Sequence, residues 1–270
     1  MVQAHMIATY FWKQQDDIPA GMGYDLFGPA HLLCVAVTVI AVVAIILAVR
    51  RADEKAQKRF LKLVPVFMVI LETFKDCFLL SVHRFGVWYL PLHFCSLGIF
   101  VFLLREFLPS KKFKEILGEI AFMLILPGSV AALLFADWTI YYPVWNFMNI
   151  YSYIWHGLLV LYPVLIYVRR EIRPQIRHIH WNLLFLCLVV PPIYAFDKHF
   201  DVNYFFVNWP VHDSPLEWIA SFMGNPGYLA GYAVLVVALI VVLYLVMWMI
   251  DLIKKKGMGR INNDGQENLQ

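Results

Sequence analysis

Long apolar stretches constrain this chain more than any other feature, because they can cross a lipid bilayer as α-helices. About 20 mostly apolar residues span the hydrocarbon core, and seven stretches reach or approach that length. The predicted spans are residues 29–49, 63–83, 88–108, 116–135, 147–168, 181–196 and 228–250. Hydrophobic residues make up 61% of the 270-residue chain, which leaves no room for a separate soluble domain. We therefore predict an all-α, polytopic integral membrane protein with seven transmembrane helices.

Basic residues outside these spans set the predicted orientation. Of the 22 lysines and arginines, 18 lie in four segments that the alternation of spans places on one side. These segments are residues 50–62, 105–115, 169–180 and the tail from 251. Because loops rich in lysine and arginine stay in the cytoplasm, we predict an outside N-terminus and a cytoplasmic C-terminus. The predicted parts are an extracytoplasmic segment 1–28, a membrane domain 29–250 and a cytoplasmic tail 251–270.

The charge distribution and the positions of the cysteines argue against nucleic-acid-binding proteins and disulfide-rich proteins. The net charge of +3 comes from residues that flank the spans, so nothing in the sequence supports nucleic-acid binding. All four cysteines lie inside predicted spans, and no CxxC or cysteine/histidine finger spacing occurs. We therefore predict no disulfide scaffold, no metal site and no cofactor.

The outer segment 197–227 is rich in aromatic residues, and we expect it to be structured. Ser214 has the character of a helix cap, with Pro215 at the first helical position and Glu217 at the third. Gly224 would end this short helix. Aromatic residues suited to the headgroup level accompany it: Trp209, Trp218 and Phe222. We predict a lid over the outer mouth of the bundle, with a plain interfacial anchor as the alternative.

Polar side chains within the spans gather in the outer half of the predicted bundle. They are His31, Asp76, Cys77, His93, Cys95, Ser129, Asn149, Ser152 and His156. An unpaired polar group in hydrocarbon costs about 1–3 kcal/mol, so such groups face other helices or a wet cavity. Only Glu72, Lys75 and Glu119 lie deeper. We infer a cavity that opens to the outer face or outer leaflet.

A thiol and two imidazoles at similar depth could supply a nucleophile and a base. Cys95 and His93 are two residues apart, or about 200° around a helix, and therefore point away from each other unless Pro91 distorts the turn. His156 on another span is the better candidate base. Gly157 beside it would let helices approach closely. Each residue also has a structural interpretation. A buried cysteine commonly acts as a small hydrophobic residue, and a histidine in a membrane commonly binds a backbone carbonyl. Lys75 and Asp76 are interpreted as partners in structural ion pairs inside the bundle.

Several short motifs follow one another along nearly the whole chain. They are residues 90–96 (LPLHFCS), Pro127-Gly128 with 131–133 (AAL), His156-Gly157, Asn203-Tyr204, and 225–228 (NPGY). In this order they resemble the YwaF family of bacterial membrane proteins, which is related to eukaryotic transmembrane protein 164. The eukaryotic branch is regarded as a cysteine-dependent acyltransferase that makes polyunsaturated ether phospholipids. The resemblance thus implies Cys95 as nucleophile, His156 as base and the bacterial cytoplasmic membrane as location.

The function that we predict is intramembrane acyl transfer between phospholipids and lyso-lipids, with His93 positioning a carbonyl or its neighbour. Candidate substrate contacts are Asp76, Arg84, Ser129, Asn149, Ser152, Asn203 and Tyr204. Prolines interrupt three predicted spans, at Pro127, Pro163 and Pro191-Pro192. A transporter or lipid-binding protein with the same cavity is an alternative, because such broken helices suit either function. A lipid hydrolase, with or without a metal, is another. Membrane lipids are the expected partners, and both a monomer and a homo-oligomer remain open.

Overall fold

The computed structural model describes residues 9–211 and 214–267, with side chains up to residue 253. Parts of the predicted N-terminal segment, outer segment and C-terminal tail therefore lie outside the described residues. Helices are the only regular secondary structure in the described ranges. The chain divides into two compact units, Met1–Ile172 and Arg173–Gln270, which are described separately below.

The first unit is a bundle of α-helices. Its described helices are α1 (Pro29–Arg51), α2 (Glu54–Ser81), α3 (Leu97–Phe107), α4 (Lys111–Ile120), α5 (Leu126–Leu134) and α6 (Phe147–Val168). A π-helical turn, Ala121–Ile125, joins α4 to α5 just before Pro127. Proline has no N–H to donate, and the Ser129 hydroxyl donates to the Ile125 carbonyl at 2.7 Å. The wider turn and this hydroxyl bond accommodate the proline within a continuous helical stretch.

Helix α6 is the centre of the first unit, because it packs against α1, α2 and α5. Leu159, Tyr162 and Leu165 on this helix are completely buried. At Gly157 a Cβ atom would lie 3.1 Å from Thr38 Cγ2 of α1. The close helix approach expected at Gly157 is therefore confirmed.

The third predicted span, residues 88–108, is not one continuous helix. A 3-10 turn covers Val87–Tyr89, the chain is irregular from 90 to 96, and α3 begins only at Leu97. Pro91 has a fixed φ and no N–H, so it opposes continuation of a helix from the 3-10 turn. His93 and Cys95 lie in the irregular stretch, and the helical spacing that separated them in the sequence analysis does not apply.

The second unit contains α7 (Ile179–Phe200), α8 (Pro215–Met223) and α9 (Tyr228–Glu267) among its described residues. The short helix expected after Ser214 is confirmed as α8. The Ser214 hydroxyl accepts a hydrogen bond from the Leu216 N–H at 3.2 Å. Gly224 ends the helix with φ +69°, a value that glycine adopts at little cost.

Five helical stretches in the described residues are long and apolar enough to cross a membrane. They are Pro29–Arg51, Lys111–Ile140, Phe147–Val168, Ile176–Phe200 and Tyr228–Ile253. These coincide with five of the seven predicted spans. The predicted second span, residues 63–83, overlaps α2 up to Ser81 and carries three charged residues, Glu72, Lys75 and Asp76. The third contains only the 11-residue α3. Three features stay predictions: the count of seven transmembrane helices, their orientation in the membrane and the outer cavity.

Candidate active site

Cys95 lies two residues before the start of α3, in a segment that close packing holds in place. A Cβ atom on Gly98 would lie 2.3 Å from Leu159 Cδ2 of α6, so α3 approaches α6 very closely here. A Cβ atom on Gly128 would lie 3.1 Å from the Phe94 ring, the neighbour of Cys95. The Cys95 side chain remains partly exposed and is in no disulfide. Cys95 thus lies, as a partly exposed residue, on a segment fixed by two helices.

A buried group of charged and polar side chains lies near this segment, and we call it the Lys75 cluster: Glu72, Lys75, Asp76 and Tyr151. The Lys75 ammonium donates to Glu72 Oε1 at 2.7 Å and to the Tyr89 carbonyl at 3.1 Å. Asp76 Oδ1 is 3.1 Å from the same ammonium group, but the angle does not make a hydrogen bond. The Tyr151 hydroxyl donates to Glu72 Oε2. Both carboxylate oxygens of Glu72 are therefore occupied.

The Lys75 cluster and the predicted catalytic residues share one neighbourhood. The Cys95 thiol is within electrostatic range of the Glu72 carboxyl and the Tyr151 hydroxyl. The His93 ring is within that range of Lys75 and of His156. The structure thus gathers residues of α2, α6 and the irregular segment. Sequence analysis set Glu72 and Lys75 apart as deeper residues, although their i, i+3 spacing on one face of an apolar helix was a usable signal.

His156 has a defined tautomer. Its Nδ1 is 2.8 Å from the Ser152 carbonyl oxygen, and a carbonyl can only accept, so Nδ1 carries the proton. The Nε2 atom therefore holds a lone pair. The Trp138 ring stacks on the imidazole at 5.1 Å between centroids and 7° between planes. Within the described residues no hydrogen bond joins Cys95 to His156, so their pairing stays a prediction.

The predicted substrate contacts on α5 and α6 already have partners within the protein. The Asn149 amide accepts from the Tyr24 hydroxyl at 2.7 Å and donates to the Val144 carbonyl at 2.8 Å. The Ser152 hydroxyl donates to the Met148 carbonyl at 2.9 Å. Ser129 is bound to its own helix as described above. These contacts give the residues a structural role, and their contact with substrate stays a prediction.

Arg84 binds the N-terminal segment. Its guanidinium donates to Asp17 at 2.5 Å and 3.3 Å and lies 3.7 Å from Asp16. The Gln14 amide donates to the Tyr89 hydroxyl at 2.8 Å. The segment that precedes α1 is thus tied to the chain just before the Cys95 segment, an arrangement that the sequence analysis did not foresee.

Asn203 and Tyr204 belong to the second unit, where they organise their own loop. The Asn203 side-chain oxygen accepts from the N–H groups of Asn208 at 3.0 Å and Trp209 at 3.2 Å. Its amide donates to the Trp209 carbonyl at 3.0 Å. The Tyr204 side chain is buried. A substrate role for these two residues stays a prediction.

Metal and disulfide chemistry were also considered for the described residues. No group of three histidine, cysteine, aspartate or glutamate side chains there could hold a metal ion. The remaining thiols, Cys34, Cys77 and Cys187, are free, and the last two are exposed.

The fold and this site define a class, namely helical integral membrane proteins with polar residues gathered inside apolar helices. The model of the TMEM164 family matches residues 26–244. The chain therefore belongs to the TMEM164 family, which confirms the resemblance seen in the short motifs. The match begins just before α1, ends within α9 and includes Cys95 and His156. No curated protein and no solved structure matches the chain.

Proposed function

We propose that this protein is an intramembrane lipid acyltransferase in which Cys95 carries the acyl group between two lipids. One observation supports the proposal most: Cys95 is partly exposed on a non-helical segment and lies within electrostatic range of the buried Glu72 carboxylate. His93, two residues earlier on the same segment, is within that range of His156. A purely structural cysteine is usually an inert side chain in an apolar surrounding. A nucleophile instead needs access and a nearby base, and the partial exposure of Cys95 and the Nε2 lone pair of neutral His156 support this role.

In the first half-reaction, His156 Nε2 takes the proton from the Cys95 thiol. The sulfur attacks the carbonyl carbon of a lipid ester, a C–S bond forms and the ester C–O bond breaks. The leaving alkoxide takes the proton from the imidazolium, which releases a lyso-lipid alcohol and leaves a thioester. Ser152 orients the base through its carbonyl, and His93 lies next to it.

In the second half-reaction, the hydroxyl of a different lyso-lipid gives its proton to His156 Nε2. Its oxygen attacks the thioester carbon, a new C–O bond forms and the C–S bond breaks. The thiolate recovers the proton, and the enzyme is restored. Water in place of the lyso-lipid would make the same site a hydrolase, so access of water to the thioester decides between the two.

The proposed setting is a seven-span bundle with an outside N-terminus and a cavity open to the outer leaflet. Bacterial cytoplasmic membrane lipids are the proposed partners. The positive-inside pattern of 18 basic residues supports this orientation. Burial of about half of the Lys111–Ile140 and Phe147–Val168 windows supports an interior bundle position for these two helices.

A trapped acyl-enzyme tests the proposal. Purified protein in vesicles is incubated with a phospholipid that carries an isotope-labelled acyl chain, then quenched in acid and digested. We expect the labelled acyl group on the Cys95 peptide, and neutral hydroxylamine should remove it because it is held as a thioester. Cys77 serves as the internal control, since it is an exposed thiol on α2. Acyl exchange without any mark on Cys95 would contradict the proposal, and so would equal marks on both thiols.

A further inference from the structure

Lys75 is a buried cation in the mostly apolar second half of α2. Its side chain is 7% exposed, and desolvating an ammonium group costs several kcal/mol unless partners compensate it. An apolar residue would avoid this cost and would pack equally well in a bundle. A structural cation of this kind therefore needs a specific reason for its presence.

The partners of Lys75 indicate that reason. Arg105, another buried cation of the first unit, binds two carboxylates and a tyrosine hydroxyl, all of them side-chain groups. Lys75 instead directs one N–H at a main-chain carbonyl, that of Tyr89. Tyr89 ends the 3-10 turn that leads directly into the irregular segment with His93 and Cys95.

We propose that Lys75 is a positioning residue for Cys95: through the Tyr89 carbonyl it holds residues 90–96 so that the thiol faces the site. This inference rests on the proposed function, because it concerns the same thiol. Glu72 and Asp76 neutralise the cation, and the Tyr151 hydroxyl fixes Glu72 in turn.

The segment is held at both ends, so the loss of a contact at either end can displace it. At the far end, the tight packing of Gly98 on Leu159 leaves α3 little freedom. At the near end, Lys75 binds the Tyr89 carbonyl and Gln14 binds the Tyr89 hydroxyl at 2.8 Å. Between the two ends, the His93 ring contacts the Trp88 carbonyl at 3.3 Å. Release of the near end would let the whole irregular segment shift.

The test uses a double variant, Glu72→Gln with Lys75→Met. It removes one positive and one negative charge, so the net charge of the Lys75 cluster is unchanged. Asp76 loses its ion partner but keeps access to solvent, since its side chain is 27% exposed. Glutamine can still accept from Tyr151. The matched control is Glu54→Gln with Lys58→Met, which removes a 2.6 Å pair that is exposed on the same helix. Three quantities are measured for each protein: thermal stability, the site-resolved rate of Cys95 alkylation by iodoacetamide, and kcat and KM for acyl exchange.

We expect the double variant to fold, with kcat lower by about 100-fold and KM unchanged, because a displacement of about 1 Å has an effect of this size. The alkylation rate of Cys95 should change while that of Cys77 does not. The control pair should behave as wild type in all three measurements. Wild-type kcat and wild-type Cys95 alkylation in a folded double variant would overturn the proposal.

If the double variant does not fold, the single substitution Lys75→Arg tests the positioning role instead. Arginine keeps the pairs with both carboxylates, but its larger planar group cannot occupy the place of the ammonium without moving the Tyr89 carbonyl. We then expect a stable protein with reduced kcat and altered Cys95 alkylation, and wild-type values would refute the positioning role. Alkylation needs no turnover. It therefore tests the positioning role even if Cys95→Ser retains acyl exchange and the proposed function fails.

Discussion

His31 shows how a polar residue in an apolar helix acquires a fixed structural role. Its Nδ1 accepts from the Phe27 N–H at 3.0 Å, and its Nε2 lies 3.0 Å from the Leu133 carbonyl. Because an N–H can only donate and a carbonyl only accept, the ring is a neutral tautomer with the proton on Nε2. The side chain is completely buried. It links the start of α1 to the end of α5.

Replacing His31 by phenylalanine should therefore destabilise the protein. The change removes the partners of the Phe27 N–H and of the buried Leu133 carbonyl, which we expect to cost about 2 kcal/mol. Thermal unfolding in detergent measures the loss. His199→Phe is the control, because His199 is exposed on α7. Equal effects of the two substitutions would rule out this role for His31.

Asp17 gives the N-terminal segment a dependence on pH. The hydrogen bond from Arg84 lowers the pKa of Asp17 below its ordinary value of 3.8. A carboxyl whose folded pKa is lowered stabilises the fold above its unfolded pKa, and this is lost as pH falls through the folded value. We expect the backbone amides of residues 10–17 to lose protection from hydrogen exchange below about pH 4. Asp17→Asn should remove that protection at neutral pH as well.

The control for this prediction lies in the same segment. Asp25 is exposed, and Asp25→Asn should leave the exchange of residues 10–17 and its pH dependence unchanged. Protection of residues 10–17 that is the same at pH 3 and pH 7 would show that the pair with Arg84 does not secure the segment.

At the scale of single elements, helix α8 offers a clean test of capping. Ser214→Ala removes the acceptor for the Leu216 N–H, which typically costs about 1 kcal/mol. We expect hydrogen exchange across α8 to become about fivefold faster, the factor that corresponds to this free energy. Ser221→Ala is the control on the same helix, because Ser221 bonds the Trp218 carbonyl within the helix and caps nothing. Unchanged exchange in Ser214→Ala would refute the cap.

Elements were predictable where the local sequence decides them, and α8 is the clearest case. Its serine cap, its proline at the first position and its final glycine are all local signals, and the helix has the predicted bounds. The prediction of one continuous helix for the third span was wrong, because length and hydropathy cannot distinguish a helix from an irregular apolar stretch. Pro91 was noted as a distortion, yet nothing local indicated that helix α3 would begin as late as Leu97.

The site was less predictable than the helices, because its contacts join residues far apart in sequence. Cys95, His93 and His156 were chosen from the sequence for their chemistry, and in the structure the two histidines lie within electrostatic range of each other. The bond between Tyr151 and Glu72 spans 79 residues, and that between Gln14 and Tyr89 spans 75. Such pairings depend on how the helices rotate against one another, which hydropathy and motif order do not specify.

At the scale of the whole molecule, the charge pattern predicts the orientation in the membrane. With 18 of 22 basic residues in four segments on one side, a reporter fused after Asp251 should be cytoplasmic. A cysteine introduced at the exposed Trp209, next to Asn208, should react with an impermeant thiol reagent added outside, and one at Gln57 should not. The reverse pattern would contradict the seven-span arrangement and the outer cavity proposed with it.

The central claim is that Cys95 is the nucleophile of an acyl transfer, and lipid acyl exchange in proteoliposomes tests it most directly. Exchange is measured for wild type, Cys95→Ser and the control Cys77→Ser. A hydroxyl is far harder to ionise than a thiol, so Cys95→Ser should lose nearly all exchange while it folds normally. Cys77→Ser should exchange acyl chains at the wild-type rate. Equal rates for wild type and Cys95→Ser would contradict the claim and favour a lipid carrier without covalent chemistry.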